Sequence, residues 1–224
     1  MAQKSWKLLQ AEAARQLGKG EVGRAVPLLA EAIELAPSEP RLYEQLVHVA
    51  LMAGGAEIAG KAAAKLVELE PNNSHYAYLR AVAAMAVGDT DTAERVLERA
   101  LEVSPDSAEV CHALAQVARH REDPQRALVL LASAARKAPT TSSIVSDYAS
   151  LLLEHHQYGL ARDVLAPATR AHPTDAGLQL VMAQACAKLG ERDTARVHAM
   201  TAKDTDDAEI HEQAVRLVAE LDAR

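Results

Sequence analysis

Residues 88–105 read GDTDTAERVLERALEVSP, and this stretch decides the fold. It holds a glycine where one helix must end (Gly88), two alanines on the face of a second (Ala93, Ala100) and a proline that closes the unit (Pro105). Each landmark returns every 34 residues. Prolines stand at 37, 71, 105, 139 and 173, and alanines at 25, 59, 93, 127, 161 and 195. A third column runs Ala13, Val47, Ala81, Ala115, Ala149, Ala183, and a fourth Ala32, Leu66, Ala100, Ala134, Ala168, Ala202. A repeat of this length is the signature of a helix–turn–helix solenoid.

The columns have physical reasons. Two helical patterns of about 13–15 residues fit between successive prolines, the length of an ordinary short helix. Gly20, Gly54, Gly88 and Gly190 mark the turn between them. In the fourth unit Asp123-Pro124 is expected to do that job as N-cap and first-turn proline. Asp106-Ser-Ala-Glu109 reads as a capping-box variant that opens a helix after Pro105. The alanines are expected where helices cross, because a larger side chain would push them apart. Pro27 and Pro167 fall inside second helices and are expected to kink them.

Composition agrees. The 224 residues suggest one or two domains. The apolar and charged fractions, 49% and 25%, are those of an ordinary globular chain. There is no Phe and one Trp, against 47 alanines, which suits close helix–helix approach rather than a core of large side chains.

The pattern resembles the tetratricopeptide repeat family. That family's signature is a small residue in the first helix, an alanine early in the second, another alanine later in it, and a closing proline. Here these are Ala13, Ala25, Ala32 and Pro37, with their successors at 34-residue steps. Early in the first helix, where the family carries an aromatic, this chain has Leu9, Tyr43, Ala77, Cys111, Val145 and Gln179. The aromatic of the second helix is replaced by Leu29, Ala63, Leu97, Leu131, Leu165 and Ala199, and the sixth closing proline by Asp207. The resemblance implies an all-α, right-handed superhelical solenoid in a single domain. It divides into six repeats, at about 4–37, 38–71, 72–105, 106–139, 140–173 and 174–206. Residues 207–224 follow, with Ile210, Ala214, Leu217, Val218 and Leu221 on one apolar face, and read as a C-terminal capping helix. An acidic helix that docks on a partner is the other reading of this segment.

Several functions lose their support. Net charge is −7, and seven acids against Arg216 and Arg224 place −5 of it in residues 204–224. With no basic stripe and no aromatic platform, nucleic-acid binding is not expected. No run of 18 apolar residues predicts a membrane span. The N-terminal residues lack the apolar core of a signal peptide, and Cys111 and Cys186 form no CxxC, so a cytoplasmic protein is expected. Gly18-Lys-Gly-Glu-Val-Gly23 matches a dinucleotide fingerprint, but it follows a helix rather than a strand. Asn72-Asn-Ser74 matches a glycosylation sequon in the loop after Pro71. The nine histidines, among them His112, His120, His155 and His156, show no metal-ligand spacing. No cofactor, metal or catalytic constellation is expected.

In the resembling family the partner lies in the concave groove lined by first helices. Carried over, the groove positions are Arg41, Glu44, His48, Leu51 and Met52, then His75, Tyr78, Val82 and Met85, then Glu109, His112, Gln116, Arg119 and His120, then Ser143, Ser146, Ser150, Leu153 and Glu154; of these the candidate binding residues are His48, Met52, Tyr78, Met85, His112, Gln116 and Arg119. The Lys/Asn pairs by which one sub-family clamps a chaperone's terminal carboxylate are replaced by Gln10/Ala14, Glu44/His48 and Tyr78/Val82, so that ligand is not expected. The function expected is a non-catalytic scaffold or adaptor that holds another protein's extended segment or helix. Its setting would be a bacterial surface, secretion, pilus or motility machine. The alternative is a homo-oligomer that self-assembles through the first repeat (Trp6, Leu9) or the terminal helix.

Overall fold

A computed structural model describes residues 5–223, and these form thirteen α-helices and no strand. Lys4, where the first repeat was expected to begin, lies outside the described residues, as do Met1 to Gln3 of the N-terminal reading and Arg224. The helices are α1 (Trp6–Gly18), α2 (Val22–Leu35), α3 (Pro40–Met52), α4 (Ala56–Leu69), α5 (Ser74–Ala86), α6 (Thr90–Val103), α7 (Ala108–His120), α8 (Pro124–Lys137), α9 (Ser142–Glu154), α10 (Tyr158–Ala171), α11 (Ala176–Lys188), α12 (Arg192–Lys203) and α13 (Ala208–Asp222). Two compact units divide them after His120. In the first, α1 packs on α2, α3 on α4 and α5 on α6; each second helix then packs on the next first helix, and α3, α5 and α7 meet side by side. In the second, α8 to α13 pack in sequence, and α9, α11 and α13 form the corresponding row.

The alanine columns lie at the crossings. All six members of the column from Ala25 to Ala195 are 0% exposed, and the columns that begin at Ala13 and Ala32 are buried at every position. The aromatic-replacing positions are buried too, by Leu29, Leu97, Leu131 and Leu165 in the second helices. Two of the first-helix replacements share a device. The Tyr43 hydroxyl donates to the Pro37 carbonyl at 2.9 Å, and the Gln179 amide donates to the Pro173 carbonyl at 2.8 Å. Each ties the start of a first helix to the proline that closed the preceding pair and satisfies a carbonyl left over at a helix end.

The turns inside the pairs share one backbone conformation. Gly20, Gly54, Gly88 and Gly190 have φ between +74° and +80°. At the same 34-residue step the left-handed residue is Glu122 (φ 57°) and then His156 (φ 60°). Asp123 does cap α8, its carboxylate accepting from the Arg126 amide at 3.0 Å, but the chain reversal itself is carried by Glu122. The capping expectation at α7 is corrected by one residue. Ser107, not Asp106, caps the helix, its Oγ accepting from the Val110 amide at 3.2 Å. A serine directly before the first helical residue reaches that donor, and Asp106 stands one residue too early. Helices α2 and α10 continue through Pro27 and Pro167.

α13 is the last described helix. Asp207, where a sixth closing proline would stand, caps it by accepting from the Glu209 and Ile210 amides. Ala214 is fully buried against Leu180 and Ala202, and Ile210 packs beside them. Leu217, Val218 and Leu221 stay half-buried.

Candidate partner-binding face

The first unit aligns α1, α3, α5 and α7, and the side chains that point away from the second helices make one face. Its centre is α5. The His75 ring, on the first turn of α5, lies between two carboxylates: Nε2 is 3.3 Å from Glu44 on α3 and Nδ1 is 3.1 Å from Glu109 on α7. Only a doubly protonated ring donates to both. One turn on, the Tyr78 ring stacks on that imidazole with centroids 6.1 Å apart. Tyr78 is half-buried, and burial first, then the Glu109 carboxylate, pushes its phenol above the usual range. At neutral pH it is a neutral ring with a hydroxyl to give, the form that suits an anchor for a partner's apolar and polar groups together.

Four of the seven sequence-predicted residues meet in one place. Tyr78 and Met85 of α5 and His112 and Gln116 of α7 line a cavity of about 270 Å³, together with Val82 and His120. Gln116 Nε2 lies 3.3 Å from His112 Nε2, one turn apart on the same helix. His48 and Met52 line a separate recess of about 200 Å³ against Gln10 and Leu17 of α1. Met52 is 70% exposed there. Arg119 is exposed on α7 and lines neither recess. The face is therefore two recesses, α1–α3 and α5–α7, with the Glu44–His75–Glu109 bridge between their helices.

Its three residues stood among the expected groove positions, but the bridge between them did not. Its signal was present, since His75 and Glu109 are register equivalents 34 residues apart, but which of two long side chains turns toward the other depends on packing. A second omission lies in the other unit. A cavity of about 540 Å³ is lined there by Leu153 of α9, Tyr158 of α10, Lys188 of α11, Arg192 of α12 and Leu217 and Leu221 of α13. Of these only Leu153 stood among the expected groove positions.

Among the described residues no group of three His, Cys, Asp or Glu side chains could hold a metal ion. No described helix is long and apolar enough to cross a membrane. Both cysteines are free and buried, and burial pushes the Cys186 thiol up to about 11.

Comparison with known proteins bears on the fold. A family model described as "Tetratricopeptide repeat" matches residues 84–151. No curated protein matches the chain. Among solved structures it is similar to a chain of the APC/C hetero-tetramer Cut9–Hcn1, at 15% identity and TM-score 0.72, over 97% of this chain but 42% of that one. The chain thus spans under half the length of that relative. It is similar to pilF of Pseudomonas aeruginosa at 18% identity and TM-score 0.71, over 96% of this chain and 97% of that one. YrrB, a TPR protein with an unusual peptide-binding site, matches at 19% identity and TM-score 0.57, over 84% and 96%. The family match shows a tetratricopeptide repeat over residues 84–151, and the 34-residue period, its buried alanine columns at helix crossings and these structural likenesses show the same fold along the rest of the chain.

Proposed function

We propose that the chain is a non-catalytic protein-interaction scaffold that holds an extended segment or helix of another protein on its first-helix face, with Tyr78 as the anchor. The observation that carries this reading is the α5–α7 cavity, where Tyr78, Met85, His112 and Gln116 bring apolar surface and hydrogen-bonding groups together. Methionine adapts to irregular partners and tyrosine is a rigid anchor, the mixture from which binding hot spots are built. His48 and Met52 extend the surface toward α1, and Arg119 stands at its exposed edge as a donor. The division into six repeats and a capping helix belongs to this proposal, as does a cytoplasmic setting, which the two buried thiols favour. Assembly or regulation of a bacterial surface, secretion, pilus or motility machine is the setting proposed with it.

The experiment is partner capture from the source cell, read by mass spectrometry, with the wild type and two variants. Tyr78→Ala should abolish capture without unfolding the protein, since a central anchor typically carries about 2 kcal/mol or more. Arg95→Ala should capture normally, because Arg95 is exposed on α6 and donates locally, to the Thr92 hydroxyl. Normal capture by both variants would sink the reading. Light scattering tests the self-assembling alternative, for which a ring or filament is the expected result.

A further inference from the structure

We propose that copies of this chain associate head to tail, the acidic edge of the first unit in one copy lying on the basic edge of the second unit in the next. The edges are the C-terminal ends of the second helices and the loops that follow them. In the first unit these are residues 34–40, 68–73 and 102–107, which hold Glu34, Glu39, Glu68, Glu70, Glu102 and Asp106 and no Lys or Arg. In the second unit they are residues 136–141 and 170–175, with Arg136, Lys137, Arg170 and His172 against Asp175. The 34-residue step shows the reversal directly. One column runs Glu34, Glu68, Glu102, Arg136, Arg170, and after α12 it returns to acid at Asp204.

The first observation concerns the helix ends. The C-terminal end of a helix carries partial negative charge, so a cation there is favoured and an acid opposed. α8 and α10 obey, with Arg136, Lys137 and Arg170 in their last turns. α2, α4 and α6 have no basic residue in theirs, and each places a glutamate one residue before its end. An unfavourable residue repeated at three equivalent positions points to a gain elsewhere. The second observation is that this gain is not made within one copy. All five column residues from Glu34 to Arg170 are exposed. Glu68 pairs with Lys65 at 2.9 Å, one turn back, and Arg170 donates to the Ala166 carbonyl of its own helix. Among the described residues the side chains of Glu34, Glu102 and Arg136 have no ionic or hydrogen-bond partner.

The third observation is that the loops of each edge lie together. The His172 ring is 3.0 Å from the Thr140 carbonyl, which joins the loops after α8 and α10. Burial first, then the Glu70, Glu44 and Glu39 carboxylates, push the Tyr76 phenol above its usual range against Arg41, so the loops after α2 and α4 converge on one ring. Charge complementarity selects the occupant, since each edge is the counterpart of the other. Two different edges make the contact heterologous, which joins copies into a ring or an open row rather than a closed dimer. None of the five column residues lines the recesses of the first-helix face or the α13 cavity, so this surface stands apart from the proposed partner site.

The test is sedimentation velocity on the full chain over a range of concentrations. Species larger than one chain should appear at about 0.05 M NaCl, and association should weaken at least about tenfold at about 0.5 M, because salt screens exposed charges. Arg136→Glu with Arg170→Glu should be monomeric. So should Glu34→Arg with Glu68→Arg and Glu102→Arg, in which each helix end gains the favoured charge and the fold is kept. An equimolar mixture of the two variants should associate again, since each presents the charge the other lacks. Tyr78→Ala should associate like the wild type. A monomeric wild type at low salt, a mixture of the variants that stays monomeric, or loss of association in Tyr78→Ala would overturn the proposal. So would association undiminished at the higher salt, the result that apolar contact through the first repeat would give.

Discussion

Cys186 shows how a residue's chemistry follows from its position in the stack. It is 0% exposed on α11, and its thiol is pushed up to about 11, first by burial and then by the neighbouring Glu191 carboxylate. The thiolate is the reactive form, so at neutral pH this side chain acts as a small apolar filler. Cys111 is buried in the same way on α7. Ellman's reagent should therefore find no fast-reacting thiol in the native protein and two after denaturation in guanidinium. A rapid native reaction would mean that α11 opens. Glu191, beside this thiol, also receives the Arg162 guanidinium at 2.6 Å, which links α10 to the start of α12. His75 is the opposite case: half-exposed, held between two carboxylates, and placed where a partner would meet it.

Among the elements, the intra-pair turns separate what recurs from what was substituted. The backbone is left-handed at all six steps, but only four carry glycine. An L-residue there costs roughly 1–2 kcal/mol, and glycine's greater chain entropy returns roughly 0.5–1 of that difference. Glu122→Gly is thus expected to raise stability by about 0.5–1 kcal/mol, read as a higher urea midpoint at unchanged slope. His156→Gly should gain less, because the His156 ring also bonds the Tyr158 hydroxyl at 2.7 Å and the substitution removes it. A lower midpoint for Glu122→Gly would show that the turn is stabilised by the glutamate side chain itself.

For the molecule as a whole, the apolar surface that α13 covers matters most. A stacked array needs a last helix that covers apolar surface on one side and meets water on the other. α13 covers Leu180 and Ala202 through Ala214 and Ile210 and turns its acids outward. Deletion of residues 207–224 should expose that cluster, and size-exclusion chromatography should then show aggregation or a loss of soluble monomer. A truncated chain that stays monomeric and equally stable would make α13 a docking element alone.

The fold was legible because it rests on local, periodic demands. A proline that recurs every 34 residues marks where one helix pair gives way to the next, and an alanine column marks a crossing whatever the partner helix is; neither requires knowledge of the rest of the chain. Much of the first-helix face was legible for the same reason, since a first helix presents its outer positions at regular steps. The choice of Ser107 over Asp106 as a cap, the left-handed Glu122 and His156, and the Tyr43 and Gln179 bonds to preceding prolines needed real backbone geometry. The Glu44–His75–Glu109 bridge and the cleft of Leu153, Lys188 and Leu217 needed more. Each brings together side chains from helices far apart in sequence, and their meeting depends on rotamers and on how far α13 closes. No spacing rule carries that information, because it arises only when the helices are packed.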